Sequence, residues 1–191
     1  MKTRNIKVKK NEEKVIPYVW INGKEPEVFF DVRLNGDGAK ATIVGIFLGT
    51  GNQSVIFNTN VVHKGQKTKS LTTIRGVFHD RSSFSNDGVV RIDKGAKGAD
   101  GYFASKILLF DNAKGRSVPS LEIDENDLKA GHASTVGRPD EQQLFYLRSR
   151  GLSEKEAEKL LISGFFDPLL QLLPKHLASE TKKQLDLVLS K

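Results

Sequence analysis

The sequence contains no cysteine in 191 residues. This absence excludes disulfides, cysteine-based zinc sites, thiolate nucleophiles and iron–sulfur ligation by the chain's own thiolates. The longest apolar run, Thr42 to Leu48, is far shorter than the roughly 20 residues that a membrane-spanning helix needs. The basic N-terminus leads into no apolar segment of the kind found in secretion signals. We therefore expect a cytoplasmic protein without membrane contact.

Nucleotide-binding and hydrolase motifs are also missing. The sequence has no G-x-x-x-x-G-K-[ST] phosphate loop, no G-x-S-x-G turn and no H-E-x-x-H helix. The glycine-rich stretch from Gly49 to Ser54 runs on into strand-like residues, so we interpret it as a turn between strands. A carbohydrate-active enzyme would need clustered carboxylates, and the acidic residues of 1–125 are scattered. The sequence therefore predicts a protein that is not an enzyme.

The net charge of +7 is unevenly distributed along the chain. Basic and acidic residues balance in residues 139–191, so the whole excess lies in residues 1–138. A basic surface attracts either phosphates or acidic proteins. Because no nucleic-acid recognition motif accompanies the charge, we favour a solvated surface or an acidic protein partner and predict no nucleic-acid binding.

The first part of the chain is patterned as short β-strands separated by turns. Between them, Asn35-Gly36-Asp37-Gly38 is typical of a tight reversal, because Asn-Gly and Asp-Gly pairs accept positive φ. The spacing of the strands, about 10 to 18 residues, fits a sandwich or a solenoid and does not choose between them. Residues rich in Val, Ile, Thr and Phe predict strands over Val28–Leu34, Ala41–Leu48, Ser54–Val62, Leu71–His79, Val89–Ile92, Phe103–Phe110 and Leu121–Ile123.

After Pro139 the pattern becomes helical, with recognisable helix ends. A first helix runs from Asp140 through Arg148, and Gly151 closes it. Ser153 and Glu156 form a capping box at the start of a second helix. That helix is predicted to end near Ser163, with Gly164 as its stop.

Two further helices follow in this prediction. Asp167-Pro168 starts a short helix that Pro174 ends, and Ser179 caps a last helix. The predicted organisation is a β body over residues 1–138 and a small α-helical subdomain over residues 139–191.

One long segment carries a family resemblance. Residues 119–161, PSLEIDENDLKAGHASTVGRPDEQQLFYLRSRGLSEKEAEKLL, resemble the core signature of the SufB and SufD family, scaffold subunits of the SUF iron–sulfur cluster assembly machine. The family pattern P-x-L-E-I is followed by K-C-S-H-G-A-T-V-G and then D-E-x-x-L-F-Y-L-R-S-R-G-L. The stretch KAGHASTVG looks more like SufD than SufB. The resemblance implies a mainly β fold, a right-handed parallel β-helix with helical parts, and so favours a solenoid over a sandwich.

The resemblance also implies a site and partners. In the family this segment lies where SufB and SufD pair, and its Cys and His are implicated in handling iron or the cluster. Here Ala130 stands at the Cys position and Gly131 at the Ser position, whereas His132 is kept. We therefore expect His132 to be the one iron or cluster ligand of this chain, at an interface with a Cys-bearing SufB-like partner. The chain alone is expected to bind no cofactor, and a transient cluster is expected only at the shared interface.

The alternative interpretations stay open at this point. His132 also suits an ordinary hydrogen-bonding role at a strand end, and the chain is then a β-helix interaction protein that no longer handles clusters. His63 and His79 could be combined with His132 into a three-histidine site, but structural or solvated histidines are the commoner case. A homodimer through the same interface is a further alternative to the SufB-like partner.

The first predicted helix is the other candidate site. Its residues are either core beneath the helical subdomain or, as the resemblance implies, part of the region that docks the SufC-like ABC ATPase. An exposed aromatic or arginine residue on such a helix is a suitable anchor. The predicted docking residues are Leu144, Phe145, Tyr146, Arg148, Arg150 and Leu152.

Overall fold

The structure is a computed structural model that describes residues 2–24 and 26–190. Within these residues the chain forms ten β-strands followed by three α-helices. The strands are β1 (Lys2–Val8), β2 (Glu13–Ile21), β3 (Glu27–Leu34), β4 (Lys40–Gly49), β5 (Ser54–His63), β6 (Lys69–Phe78), β7 (Ser83–Ile92), β8 (Ala99–Leu109), β9 (Lys114–Ile123) and β10 (Leu128–Gly137). The helices are α1 (Glu141–Ser149), α2 (Glu154–Leu170) and α3 (Lys175–Val188).

The strands build a parallel β-helix in which successive strands alternate between two sheets. One sheet has the order β1-β3-β5-β7-β9 and the other β2-β4-β6-β8-β10, so each pair of consecutive strands makes one turn of the solenoid. Val28 lies beside Phe57, and Lys69 lies beside Asp100, which gives turns of about 30 residues. The predicted solenoid is confirmed, and the sandwich is wrong because its strands would pair antiparallel.

The interior of the β-helix is filled by large apolar side chains. Side chains alternate between the two faces of a strand, and the inward set of β3 to β8 is buried. The ring centroids of Tyr18 and Phe57 lie 5.3 Å apart, those of Phe47 and Phe57 5.0 Å, and those of Phe47 and Phe84 5.0 Å. This aromatic stack links successive turns, so the interior is a packed core rather than an open channel.

One corner of the β-helix is a ladder of left-handed residues. Asn22, Asp80 and Asp111 have φ values of 46°, 57° and 49°, and Gly51 has 65°. The Asp80 carboxylate accepts a hydrogen bond from the Gly51 amide at 2.6 Å, and the Asp111 carboxylate accepts one from the Asp80 amide at 2.9 Å. Short polar side chains tolerate this backbone region, and the two carboxylates accept from amides of the preceding turn, which stabilises the corner where each strand pair bends.

The turn at Asn35–Gly38 is present but is not a hairpin. Gly38 has a φ of 67°, as the sequence predicted for this stretch. The two strands that it joins, β3 and β4, lie in different sheets. The reversal is therefore a corner of the solenoid.

The helices cover part of the outer face of the sheet that contains β4 and β6. The apolar cluster between them joins Val44 and Ile46 of β4 to Ile162, Phe166 and Leu169 of α2. None of the helices within the described ranges is long and apolar enough to cross a membrane. Burial of this outer apolar patch holds α2 and α3 on the β-helix. The three helices α1 to α3 together are called the helical region below.

The helix starts and stops were predicted with mixed success. Asp140 caps α1, Gly151 follows it with a φ of 96°, and Ser153 with Glu156 forms the capping box of α2, all as predicted. The predicted stop at Gly164 is wrong, because α2 continues through Pro168 to Leu170. The separate helix beginning at Asp167 therefore does not exist.

Tertiary contacts explain why α2 does not stop. Phe166 and Leu169, both beyond the predicted stop at Gly164, are buried against the sheet. Pro168 lies in the last turn of α2 and cannot donate to the Gly164 carbonyl oxygen, so the burial of Phe166 and Leu169 outweighs the loss of that hydrogen bond. The Arg75 guanidinium donates to the carbonyl oxygen of Phe165 and holds this part of the helix on β6.

The start of α3 was also predicted wrongly. This helix begins at Lys175, directly after Pro174, and Ser179 lies inside it. Leu177 and Ala178, which precede Ser179, pack against the apolar cluster beneath the helices, so packing starts the helix earlier than the serine cap signal suggested.

Candidate partner-binding sites at the open end and on the helical region

The β-helix has an open end formed by β9 and β10. Each of these strands pairs on one side with β7 or β8, and no strand among the described residues pairs with the other side. An edge strand of this kind presents unpaired amide and carbonyl groups to a partner. The side chains that face inward here are exposed or half-buried, in contrast to those of β8.

His132 lies at the open end and faces the interior of the β-helix. It stands opposite Phe103 in the β10–β8 register, and Phe103 is buried in the core. Two residues later, Ser134 points the same way, because its hydroxyl lies 3.0 Å from the hydroxyl of the buried Ser105. Since β10 is the last strand, nothing in the described chain covers His132, and its side chain is exposed.

A chain of small polar groups lies beside His132. The Ser105 hydroxyl is 2.7 Å from that of Ser117 on β9, and the Ser117 hydroxyl is 3.4 Å from the Asn86 amide oxygen. These groups anchor β9 and β10 to the buried turn beneath them. Sequence reasoning missed this network, although alternation along β10 would have placed Ser134 on the same face as His132.

Ala130 faces inward on the same strand as His132. It stands opposite Gly101, whereas Gly131 points outward against Tyr102. Across the described residues, no group of three His, Asp or Glu side chains lies close enough to hold a metal ion. His132 can therefore supply a single imidazole, and any metal bound there needs ligands from another molecule.

The three histidines of the alternative prediction lie in separate places. His63 is completely buried, and its ring nitrogens lie 2.8 Å from the Thr68 hydroxyl and 2.7 Å from the Ser70 hydroxyl. Burial lowers the pKa of His63 to about 4, so it is neutral at physiological pH. His79 lies at the corner ladder, stacked on Phe110 at 4.4 Å. His63 is thus a core histidine whose ring nitrogens are both hydrogen-bonded.

The second candidate site is a groove between α1 and α2. It has a volume of about 790 Å³ and is lined mainly by apolar residues. The lining includes Leu108 of β8, Tyr146 and Leu147 of α1, and Leu160 and Phe165 of α2. A groove of this size, walled by helices, accommodates side chains of another protein.

Helix α1 is not part of the core, which corrects one of the two sequence-based interpretations. None of its residues is buried, and Phe145 and Tyr146 are 74% and 56% exposed. Leu144 and Leu147 are half-buried, as is Leu152 beyond the helix. The predicted docking residues are thus brought together on one helix and its C-terminal turn.

The arginines of this segment are also at the surface. Arg148 and Arg150 are exposed, and the guanidinium carbon of Arg150 lies 5.4 Å from the centroid of the Tyr146 ring. The Tyr146 hydroxyl accepts hydrogen bonds from Arg150 at 3.3 Å. This contact places the exposed Tyr146 ring beside the Arg150 cation, and tyrosine and arginine are both enriched at protein interfaces.

Comparison with known proteins gives a consistent result. The family model described as "SUF system FeS cluster assembly, SufBD core domain" matches residues 2–165. The iron-sulfur cluster assembly protein SufD of Bacillus subtilis is 39% identical over 153 residues, which cover 80% of this chain and 34% of that protein. A SufBD family protein of Synechocystis is 32% identical over 157 residues, covering 82% of this chain and 33% of the relative.

A third relative extends the same pattern. A SufBD family protein of Mycobacterium leprae is 35% identical over 161 residues, covering 80% of this chain and 41% of the relative. The chain thus spans a third to two fifths of the length of these curated relatives. They are named for cluster assembly and not for a catalysed reaction. The family model over residues 2–165 and these relatives show that the chain belongs to the SufBD family of the SUF iron–sulfur cluster assembly system.

Proposed function

We propose that the chain is a SufD-like scaffold subunit in iron–sulfur cluster assembly. Its open end pairs with a Cys-bearing SufB-like partner, and its helical region docks a SufC-like ABC ATPase. The observation that carries this proposal is the uncovered, inward-facing His132 on β10, an edge strand that pairs with β8 on one side and with no described strand on the other.

The open end supports pairing with a protein of similar fold. A partner β-helix can add its own edge strands to β9 and β10, which satisfies their free backbone groups. The exposed inward-facing residues then become an enclosed interior shared by two chains. His132 comes to lie inside that shared space.

The chemistry of the cluster assigns the main ligands to the partner. Iron–sulfur clusters are held chiefly by cysteine thiolates, with histidine as an occasional ligand. This chain has no cysteine, so it contributes one imidazole to a cluster that the partner anchors. The cluster is cargo of the complex, and the chain itself performs no catalysis.

The groove and helix α1 support docking of the ATPase. An apolar groove beside two exposed aromatic residues is the kind of surface that anchors a protein partner. The chain lacks a phosphate loop, so ATP hydrolysis belongs to that partner.

The proposal is tested by anaerobic co-expression with SUF-type SufB and SufC subunits. We expect a stable complex of all three chains, whose mass is measured by size-exclusion chromatography with light scattering. Recovery of this chain only as a monomer or homodimer contradicts the proposal.

A second candidate function is a family-derived interaction protein that no longer handles clusters. Ala130 at the family's cysteine position favours this alternative. Iron and sulfide content separates the two functions when complexes with and without this subunit are compared. Equal iron per SufB-like subunit in both preparations supports the alternative.

A further inference from the structure

A stripe of exposed lysines runs along one corner of the β-helix. The corner consists of the loops that follow β1, β3, β5 and β7, over residues 9–12, 35–39, 64–68 and 93–98. These loops contain twice as many lysines as carboxylates, and every one of the lysines is exposed. The lysine corner is defined by six residues: Lys9, Lys10, Lys64, Lys67, Lys94 and Lys97.

Backbone hydrogen bonds hold these loops in register. The Asn11 amide donates to the Asp37 carbonyl oxygen at 2.9 Å, and the Lys67 amide donates to the Lys97 carbonyl oxygen at 2.8 Å. Neighbouring turns are about 4.8 Å apart, so about 14 Å separates the first of the four loops from the last. The corner therefore presents its lysines along a rigid edge that runs parallel to the axis of the solenoid.

Turn geometry does not account for the lysine at the centre of this edge. At equivalent positions of the four loops, Asn11, Gly38, Lys67 and Gly98 have φ values of 55°, 67°, 54° and 69°. Asparagine and glycine are the residues that this backbone region favours, whereas lysine has no conformational reason to occupy it. The charge of Lys67 is the better explanation for its presence.

Most of the lysines form no ion pair within the part of the chain that the structure describes. Lys64 approaches the Asp93 carboxylate only to 4.0 Å. The lysines without any such pair are Lys10, Lys67, Lys94 and Lys97. Their ammonium groups are therefore available to an anionic ligand.

The carboxylates of the same loops are already engaged. The Glu12 carboxylate accepts a hydrogen bond from the first amide of its own loop at 2.7 Å. The Asp37 carboxylate accepts one from the Gln66 amide at 2.9 Å, and the Asp93 carboxylate accepts one from the Arg91 guanidinium at 2.7 Å. These acids stabilise the loops and leave the lysines as the free charges of the corner.

The lysine corner is separate from the two surfaces of the proposed function. The fifth loop of this corner, residues 124–127, contains three carboxylates and no lysine, so the stripe ends before the open end. The helical region reaches the opposite corner, where the His79 Nδ1 atom lies 3.4 Å from a Glu158 carboxylate oxygen. A ligand on the lysine corner therefore leaves both surfaces free.

The composition of the four loops favours an acidic protein segment over a nucleic acid. They contain no arginine, the residue whose fork suits phosphate groups, and no aromatic side chain that could stack on a base. An extended peptide places alternate side chains on one side about 7 Å apart. Three acidic side chains of such a peptide span the about 14 Å from the first loop to the last.

We infer that the lysine corner is a docking surface for an acidic, extended segment of a partner protein. The segment lies along the edge of the solenoid, with its carboxylates beside the lysine ammonium groups. Because these contacts are exposed ion pairs, salt weakens the binding. The inference does not depend on the proposed function, because none of the six lysines belongs to the open end or to the helical region.

The first test uses the whole chain and a fluorescein-labelled peptide of about twelve residues in which Glu and Ser alternate. The corner variant combines Lys64→Gln, Lys67→Gln, Lys94→Gln and Lys97→Gln. The control has the same net charge, because it replaces four exposed lysines of the helical region with Gln: Lys155, Lys175, Lys182 and Lys183. At about 50 mM salt, fluorescence anisotropy should show about tenfold weaker binding by the corner variant than by the control, as for the loss of several ion pairs. Equal affinities, or no binding by the unmodified chain, overturn the inference.

The second test locates the peptide on the unmodified chain and so does not depend on how the variants fold. A carbodiimide joins carboxylates to nearby lysine amines, and mass spectrometry identifies the lysines that are joined. We expect the cross-links to concentrate on the lysine corner, and cross-links chiefly on other lysines overturn it.

An oligothymidine with about six phosphates, as many charges as the peptide carries, tests the class of partner. We expect it to bind the unmodified chain more weakly than the peptide does. Tighter binding of the oligothymidine that is lost in the corner variant overturns the assignment to a protein segment.

Discussion

At the scale of single residues, the histidines show how position decides chemistry. His63 has hydroxyl partners at both ring nitrogens inside the core, and His132 has an uncovered ring on the last strand. Both face the interior of the β-helix. The difference is that the turns on either side cover His63, at Leu34 and Ile92, whereas the open end leaves His132 exposed. Of these two histidines only His132 is available to a ligand or a partner.

Burial of His63 makes the stability of the fold depend on pH. The pKa of His63 is about 4 in the folded chain, against 6.5 for the unperturbed side chain. Between these values the unfolded chain binds a proton that the folded chain does not, so the free energy of unfolding falls as the pH drops. From pH 7 to about pH 4.5 we expect the free energy of unfolding, measured by urea denaturation, to fall by about 2 to 3 kcal/mol because of His63. The variant His63→Gln should lose this part of the pH dependence; an unchanged profile would contradict it.

His132 is expected to affect iron loading without affecting assembly. Replacing His132 with Ala removes the one imidazole that the chain offers at the open end. The complex with SufB-like and SufC-like subunits should form normally and contain less iron. His176→Ala is the matched control, because His176 is exposed on α3, away from the strands. Equal iron contents in the two variants would refute a ligand role for His132.

At the scale of elements, strands and helices carry different tasks. The strands provide the aromatic core, and α2 and α3 bury the outer apolar patch. Helix α1 does neither, since none of its residues is buried. An exposed aromatic pair on a helix without core contacts is best explained by binding.

The aromatic residues of α1 should therefore matter for binding and not for folding. Replacing both Phe145 and Tyr146 with Ala is expected to change the free energy of unfolding by less than about 1 kcal/mol. Affinity for a SUF-type ATPase should fall at least about tenfold, measured by calorimetry, as for the loss of an interface anchor. Leu187→Ala, at a 65% exposed position of α3, serves as the control and should bind normally. Unaltered affinity of the double variant would place the docking surface elsewhere.

The core stack should show the opposite behaviour. Phe57 is fully buried and contacts Tyr18, Phe30 and Phe47. Replacing it with Ala should lower the free energy of unfolding by about 3 to 5 kcal/mol through lost burial and a cavity. Phe145→Ala removes the same side chain from an exposed site and should have little effect. Chemical denaturation compares the two variants, and similar losses would contradict the packed interior.

These elements differ in how well the sequence predicted them. Apolar strands such as β4 were recognised. The sequence analysis missed β1 and β2, which contain lysines and Pro17, and it missed β10, which consists largely of small and polar residues. The capping box at Ser153 was found because its signal is local. The continuation of α2 past Gly164 was not predicted, because it depends on contacts of Phe166 with strands far away in sequence.

The candidate site was predictable only in part. The family resemblance identified His132 and the residues of α1. Alternation along β10 would have given the inward direction of His132, but not that β10 is an edge strand. His79, Asp111, Arg138 and Glu158 lie together at one corner, and their proximity follows from the stacking of turns and from no sequence pattern.

At the scale of the whole molecule, every turn of the solenoid contacts chiefly the turns before and after it. Stability in such a structure is a sum over neighbouring turns, so the ends have the fewest stabilising contacts. Native-state hydrogen exchange should be slowest in β4 to β7 and fastest in β9 and β10. Exchange of equal rate along the chain would contradict this order.

Because neighbouring turns stabilise each other, a partner bound at the open end also stabilises the local folding of the last turn. A partner that adds its strands to β9 and β10 turns the weakest turn of this chain into an internal one, and part of its binding free energy appears as resistance of that turn to unfolding. Assembly and local folding are then a single equilibrium at this end. The concentration of the partner would set how often His132 and its neighbours are found in an ordered strand.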